Sequence, residues 1–82
     1  AAALGRAERY PAGARRCGLE GEGRLRLSIG PGGELLAADI LASTGAATLD
    51  REMRAMARRA APFPPPPAGP AELIVPIRFR LP

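Results

Sequence analysis

The chain has 82 residues, 46% of them hydrophobic, with twelve arginines set against eight carboxylates and no lysine, histidine or tryptophan. That length bounds one domain with a single modest core, for which a net stability of roughly 4–12 kcal/mol is ordinary. The lone Cys17 excludes a disulfide framework and a cysteine metal cluster, and no stretch approaches the ~20 apolar residues of a membrane span.

Residues 1–9 carry no periodicity and are expected to be a flexible lead-in. The loose Ala-Ala-Ala-Leu-Gly start without an initiator Met points to a piece cut from a longer protein. Tyr10-Pro11 opens a short helix, with Pro11 suited to the first helical position and Tyr10 placed to pack back as a staple. Ala14 and Cys17 fall on its inner face, Arg15 and Arg16 face water, and Gly18 is the natural residue to end it. Leu19 is expected to re-enter the core. Residues 23–30 alternate, Leu25, Leu27 and Ile29 against Arg24, Arg26 and Ser28, which predicts a strand with one wet face in an antiparallel setting. Pro31-Gly32-Gly33 is a tight turn leading into a second strand over residues 34–44. There the alternation slips. A β-bulge near Leu36-Ala37 brings Leu35, Ala38, Ile40 and Ala42 onto the core face; an alanine-rich strand that simply reads ambiguously is the alternative.

Beyond Gly45, Leu49, Met53, Met56, Ala57 and Ala60 mark one face of a helix. Thr48 is its expected N-cap, Asp50 and Glu52 suit its first turns, Arg58 and Arg59 its last, and Pro62 stops it. Pro64 to Pro67 form a stiff polyproline-like connector. The final stretch, residues 71–82, alternates again: Leu73, Val75, Ile77, Phe79 and Leu81 one way, Ile74, Pro76, Arg78 and Arg80 the other. Pro76 has no N–H for a ladder, so this strand belongs at a sheet edge with that position facing outward. The order α-β-β-α-β predicts an α+β fold: a two-layer sandwich of a three-stranded antiparallel sheet with two helices on one face and the C-terminal strand at the edge.

An open edge is a row of unpaired backbone groups, and two readings of it follow. It is a means of binding an extended segment by β-augmentation, or it is an edge blunted by Pro76 and flanking arginines against aggregation. Arg24, Arg26, Arg78 and Arg80 share the outer face if the hairpin register holds, either to steer an acidic partner or as a solvated surface. The all-arginine basicity beside so much Ala, Gly and Pro fits a G+C-rich coding bias. A nucleic-acid reading also lacks the stacking aromatics it needs on that face. Cys17 is expected to be buried on the first helix. The carboxylates lack a His partner, a metal-ligand spacing or a phosphate loop, so no enzyme activity, cofactor or metal is expected.

The ordered set Tyr10-Pro11, Ala14-Arg15-Arg16, Leu19-Glu20-Gly21, Leu25/Leu27/Ile29, Gly33, Ser43-Thr44-Gly45, Leu49-Asp50, Phe63-x-Pro65 and Val75-Pro76-Ile77-Arg78-Phe79 resembles the C-terminal domain of TonB family proteins, from about Glu8 to Leu81. One departure is that Ala60-Ala61 stand where the family usually carries a late-helix aromatic. The resemblance implies a domain over residues 10–82 that lies in the periplasm, at the end of an energy transducer anchored in the inner membrane by a segment not in this chain. It implies coupling to an ExbB/ExbD-type motor and binding of the Ton box of outer-membrane TonB-dependent transporters. The partner-binding residues then expected are Glu8, Arg9, Tyr10, Glu72, Leu73, Ile74, Val75, Pro76, Ile77, Arg78 and Arg80. The alternatives are a TonB-like module that self-associates, as a homodimer, through the same edge, and a small basic nucleic-acid binder. A proline at Val75 is expected to block strand pairing if the Val75 N–H faces the open edge, and to damage the fold if it faces the neighbouring strand.

Overall fold

Among residues 10–81, which the computed structural model describes, five elements follow in the expected order: α1 (Ala12–Arg16), β1 (Gly21–Ile29), β2 (Leu35–Ala42), α2 (Ala47–Ala60) and β3 (Ala71–Phe79). The lead-in, with Glu8 and Arg9, and Pro82 lie outside the described residues. The strands form one antiparallel sheet in the order β2-β1-β3. The C-terminal strand is therefore at an edge, as its alternation and Pro76 predict.

The core lies between this sheet and the helices. Leu25, Leu27 and Ile29 of β1 and Ile77 and Phe79 of β3 meet Leu49, Met53, Met56 and Ala57 of α2 and Ala14 of α1, all buried. Full burial of one large apolar side chain stabilises by roughly 1.5–3 kcal/mol, so this handful of residues carries the fold. Phe63, just beyond α2, also packs against the cluster. Its N–H donates to the Gly33 carbonyl at 2.8 Å, tying the end of α2 to the β1–β2 turn. Gly33 has φ +91° and the Phe63 carbonyl oxygen 1.9 Å from where a Cβ would sit; no other residue fits there.

The short helix departs from expectation in three places. Pro11, at φ −58° and ψ 135°, is the extended N-cap residue, and Ala12 is the first helical one. Gly18 does end the helix: at φ 66° it donates to the Arg15 carbonyl while Leu19 N–H donates to that of Ala14, the paired closure of a Schellman motif. That closure makes Cys17 the C-cap and leaves it exposed, correcting its expected burial. Leu19, 36% exposed, stays at the surface as well.

β2 carries the bulge expected near Leu36 and a second one. Ser28 pairs with Ala37 but Ile29 with Leu35, so Leu36 is skipped; Arg24 pairs with Ala42 but Leu25 with Ile40, so Leu41 is skipped. Leu35, Ala38 and Ile40 pack on the core. The second bulge turns Ala42 outward beside Arg24, where it is exposed, contrary to the single-bulge reading. The skipped Leu36 and Leu41 are 62% and 45% exposed, and the β2 edge is irregular at both.

α2 starts one turn's fraction earlier than Thr48 predicts, with Ala46 as N-cap and no side-chain cap from that residue. Its first turn is held from outside. The Asp50 carboxylate accepts from Ser43 Oγ at 2.5 Å, Thr44 N–H at 2.9 Å and Thr44 Oγ1 at 2.6 Å, and Thr44 Oγ1 accepts from Ala46 N–H at 3.2 Å. This explains why Ser43-Thr44 and Asp50 occur together. Burial pushes the Asp50 carboxyl up, but the Ser43 and Thr44 hydrogen bonds and the Arg54 charge outweigh it and hold the carboxyl below its ordinary 3.8. A carboxyl with a depressed folded value stabilises above its unfolded value, and that contribution is lost as pH falls through the folded one. Asp50→Asn is therefore expected to lose about 1–2 kcal/mol at pH 7, and less at pH 3, below the ordinary 3.8, where the carboxylate's contribution is already declining. Urea midpoints at both pH values check this; an equal loss at both would place the effect elsewhere than in the charge.

Candidate binding edge on the last strand

β3 has β1 on one side and, among the described residues, no strand on the other. Its pairing with β1 runs without a shift from Gly21 opposite Phe79 to Ile29 opposite Ala71, and places Pro76 opposite Arg24. A proline stands in an unbroken antiparallel ladder only where its nitrogen faces away from the paired strand. By alternation, Leu73, Val75, Ile77 and Phe79 bond to β1, whereas Glu72, Ile74 and Arg78 turn N–H and C=O to the open side and Pro76 its C=O alone. The Val75 N–H is thus committed inside the sheet, which settles the condition attached to a proline there.

Side chains alternate in step. Val75 is half-buried and Ile77 and Phe79 are buried on the helix side; Glu72, Ile74, Pro76 and Arg78 are exposed on the outer face. α2 lies over β2 and β1. Leu73, although on the inner side opposite Leu27, is consequently left 44% exposed, and Ile74 on the other side is 62% exposed. Two successive residues of the edge thus offer bare apolar surface, one on each face. Alternation alone does not reveal this, because it assigns Leu73 to the core.

The far end of β3 is fixed by Tyr10. Its ring meets Phe79 edge to face, with centroids 5.7 Å apart at 87°, the Arg15 guanidinium lies 6.0 Å from the ring centre, and its hydroxyl donates to the Leu19 carbonyl. Burial and the Glu20 carboxylate raise the phenol above its ordinary value, against the Arg15 charge, so it stays a donor at neutral pH. The Leu81 N–H donates to Glu20 Oε2 at 2.7 Å, an anchor sequence reasoning missed. The structure therefore gathers Glu72 to Arg78 along one edge and puts Tyr10 beside its end. Arg80 is exposed just past the strand, and Glu8 and Arg9 lie outside the described residues.

On the outer face, Arg24, Arg26 and Arg78 do share one surface. Arg78 pairs with Glu22 at 3.1 Å and Arg26 with Asp39 at 3.6 Å, so the face is close to neutral. A shallow hollow of about 530 Å³ crosses it, bordered by Glu22, Arg24, Ala42, Pro76 and Arg78. Among the described residues no group of three or more potential ligands is placed to hold a metal ion, and no helix is long and apolar enough to cross a membrane.

Comparison with known proteins agrees with this geometry. The family model for the Gram-negative bacterial TonB protein C-terminal matches residues 6–81. A curated relative, Protein TonB of Pseudomonas putida, is 36% identical over 83 aligned residues; the alignment covers 95% of this chain and 34% of that protein. The chain thus spans about a third of the length of this relative. The solution structure of the Helicobacter pylori TonB C-terminal domain superposes with a TM-score of 0.87 at 26% identity, covering 98% of this chain and 75% of that one. The HasB C-terminal domain, 40% identical, gives 0.60 over 98% of this chain and 65% of its own. The sheet order and the family match converge: the chain belongs to the family of TonB C-terminal domains.

Proposed function

We propose that residues 10–82 act in the periplasm as the receptor-binding domain of a TonB-type energy transducer. The free edge of β3 takes the Ton box of an outer-membrane transporter as an added strand. Pull from an inner-membrane ExbB/ExbD-type motor arrives through an anchor and span lying outside this chain. One observation carries the reading: β3 has an unshifted ladder whose outward groups at Glu72, Ile74, Pro76 and Arg78 have, among the described residues, no strand beside them, with exposed Leu73 and Ile74 flanking it. Backbone pairing tolerates varied side chains, which suits one transducer serving several receptors. Four to six such bonds, at roughly 0.5–1.5 kcal/mol each, hold a peptide with weak to moderate affinity once ordering costs are met.

Titration of the 15N-labelled chain with a Ton-box peptide is expected to shift the amides of Glu72, Ile74 and Arg78 most, with a smaller response at Tyr10. Shifts scattered over the surface, or confined to the β2 side, would sink the proposal. The same exposed edge also favours a second reading, pairing with another copy of the chain, which light scattering against concentration distinguishes.

A further inference from the structure

Coding bias sets how many arginines a chain carries, but not where the fold places them. The sheet, its β1–β2 turn and the residue just after the last strand hold Arg24, Arg26, Arg78 and Arg80, matched one for one by Glu22, Glu34, Asp39 and Glu72. The helical layer and its connections hold Arg15, Arg16, Arg51, Arg54, Arg58 and Arg59 against Glu20, Asp50 and Glu52 only. Of those three, Asp50 is held by Ser43 and Thr44 and feels the Arg54 charge, and Glu52 pairs with Arg59. The positive charge of the described residues is therefore concentrated on the helix side, opposite the sheet's outer face.

Within that layer α2 arranges a stripe. At about 100° per residue, Arg51, Arg54 and Arg58 fall within roughly 60° of one another, on the side of the helix turned away from the Leu49, Met53 and Met56 face. All three are exposed, and among the described residues none of them makes an ion pair. They span about 10 Å along the helix. The exposed large apolar side chains, Leu19, Leu36, Leu41, Leu73 and Ile74, are all off this helix.

We infer that the α2 stripe docks the domain on an anionic phospholipid surface. A protein interface depends on an apolar or aromatic centre ringed by polar groups, which this face lacks; a diffuse phosphate-bearing surface asks only for a single-sign field and guanidinium forks that match phosphate. Nucleic acid shares the phosphate chemistry. The choice of lipid rests on the periplasmic placement proposed above and on the lack of any stacking aromatic on α2. Lying on this face, the domain keeps the sheet outward and β3 running alongside the bilayer, so peptide pairing and lipid contact occur together.

The test is co-sedimentation of the 82-residue chain with phosphatidylglycerol vesicles, with phosphatidylcholine vesicles and, separately, binding to duplex DNA. Binding to phosphatidylglycerol is expected, weakening steeply with salt. Each neutralised arginine is expected to cost about fivefold, so the Arg51→Gln, Arg54→Gln, Arg58→Gln triple variant should bind roughly 100-fold more weakly. Arg24→Gln with Arg26→Gln on the sheet should bind as the parent does, and circular dichroism of both variants should match it. Unchanged binding by the triple variant, or equal binding to phosphatidylcholine, overturns the inference. DNA bound as tightly as phosphatidylglycerol overturns the lipid assignment. The peptide titration reads the β3 edge independently, so either proposal can fail alone.

Discussion

Ile74→Pro is expected to abolish Ton-box pairing while leaving the domain as stable as the parent, and Val75→Pro one position on to destabilise the fold itself. Ile74 directs its N–H to the open side, so a proline there deletes a donor offered only to an incoming strand. Next to Pro76, it leaves Arg78 and Glu72 as the nearest outward donors, too far apart to sustain a continuous ladder. Its own ladder with β1 loses nothing, and Ile74 is 62% exposed, so little packing is lost. Val75 bonds to β1 opposite Leu25, which is fully buried. Removing that donor strands a buried acceptor and forces the ring toward β1, a loss of about 2–4 kcal/mol from a total of roughly 4–12. Peptide titration with urea unfolding of both variants checks the pair. Loss of binding in Val75→Pro with an intact fold, or an unfolded Ile74→Pro, would reverse the assignment of inward and outward groups.

The largest expected loss of stability belongs to Phe79→Ala. Phe79 is fully buried at the end of β3 and is the partner of Tyr10. Truncating a buried phenylalanine costs about 3–5 kcal/mol, and the aromatic pair adds about 0.5–1.5 kcal/mol beyond area. In so small a core few side chains can shift to fill the hole. Tyr10→Phe keeps the ring contact and removes only the hydrogen bond to the Leu19 carbonyl, so it should cost about 1 kcal/mol. Thermal or urea unfolding of the two variants measures the contrast. Near-equal losses would mean that the hydroxyl, and not the ring, secures this end of the strand.

The sequence makes the strands and the main helix legible because their periods are unambiguous. Leu25, Leu27 and Ile29 alternate, Leu49, Met53, Met56 and Ala57 recur with the helical turn, and Pro76 marks an edge on chemical grounds alone. The short helix and β2 are less legible for a physical reason. Five residues cannot show a face, so Cys17 reads as inward until the Schellman closure is seen to take that position for the cap. Alanines in β2 carry too little hydrophobic contrast to reveal a second bulge at Leu41. The site is half legible: Pro76 and the alternation locate the edge, and the family motif adds its expected role. The direction of each N–H needed the register with Arg24, and the bare state of Leu73 needed the position of α2 over β1 and β2. The anchor between Glu20 and the Leu81 N–H joins residues 61 apart in sequence, beyond the reach of any local pattern.

The bulges at Leu36 and Leu41 have a consequence for how copies of this domain can meet. An open sheet normally has two margins, and a chain with two straight margins can stack without end into a fibre. Here one margin is shifted out of register twice, and among the described residues β3 is the margin whose ladder is unshifted. Two copies joined there would consume each other's only regular margin and close about a two-fold axis, with no growing end. Self-association through β3, where it occurred, would then stop at a pair of copies.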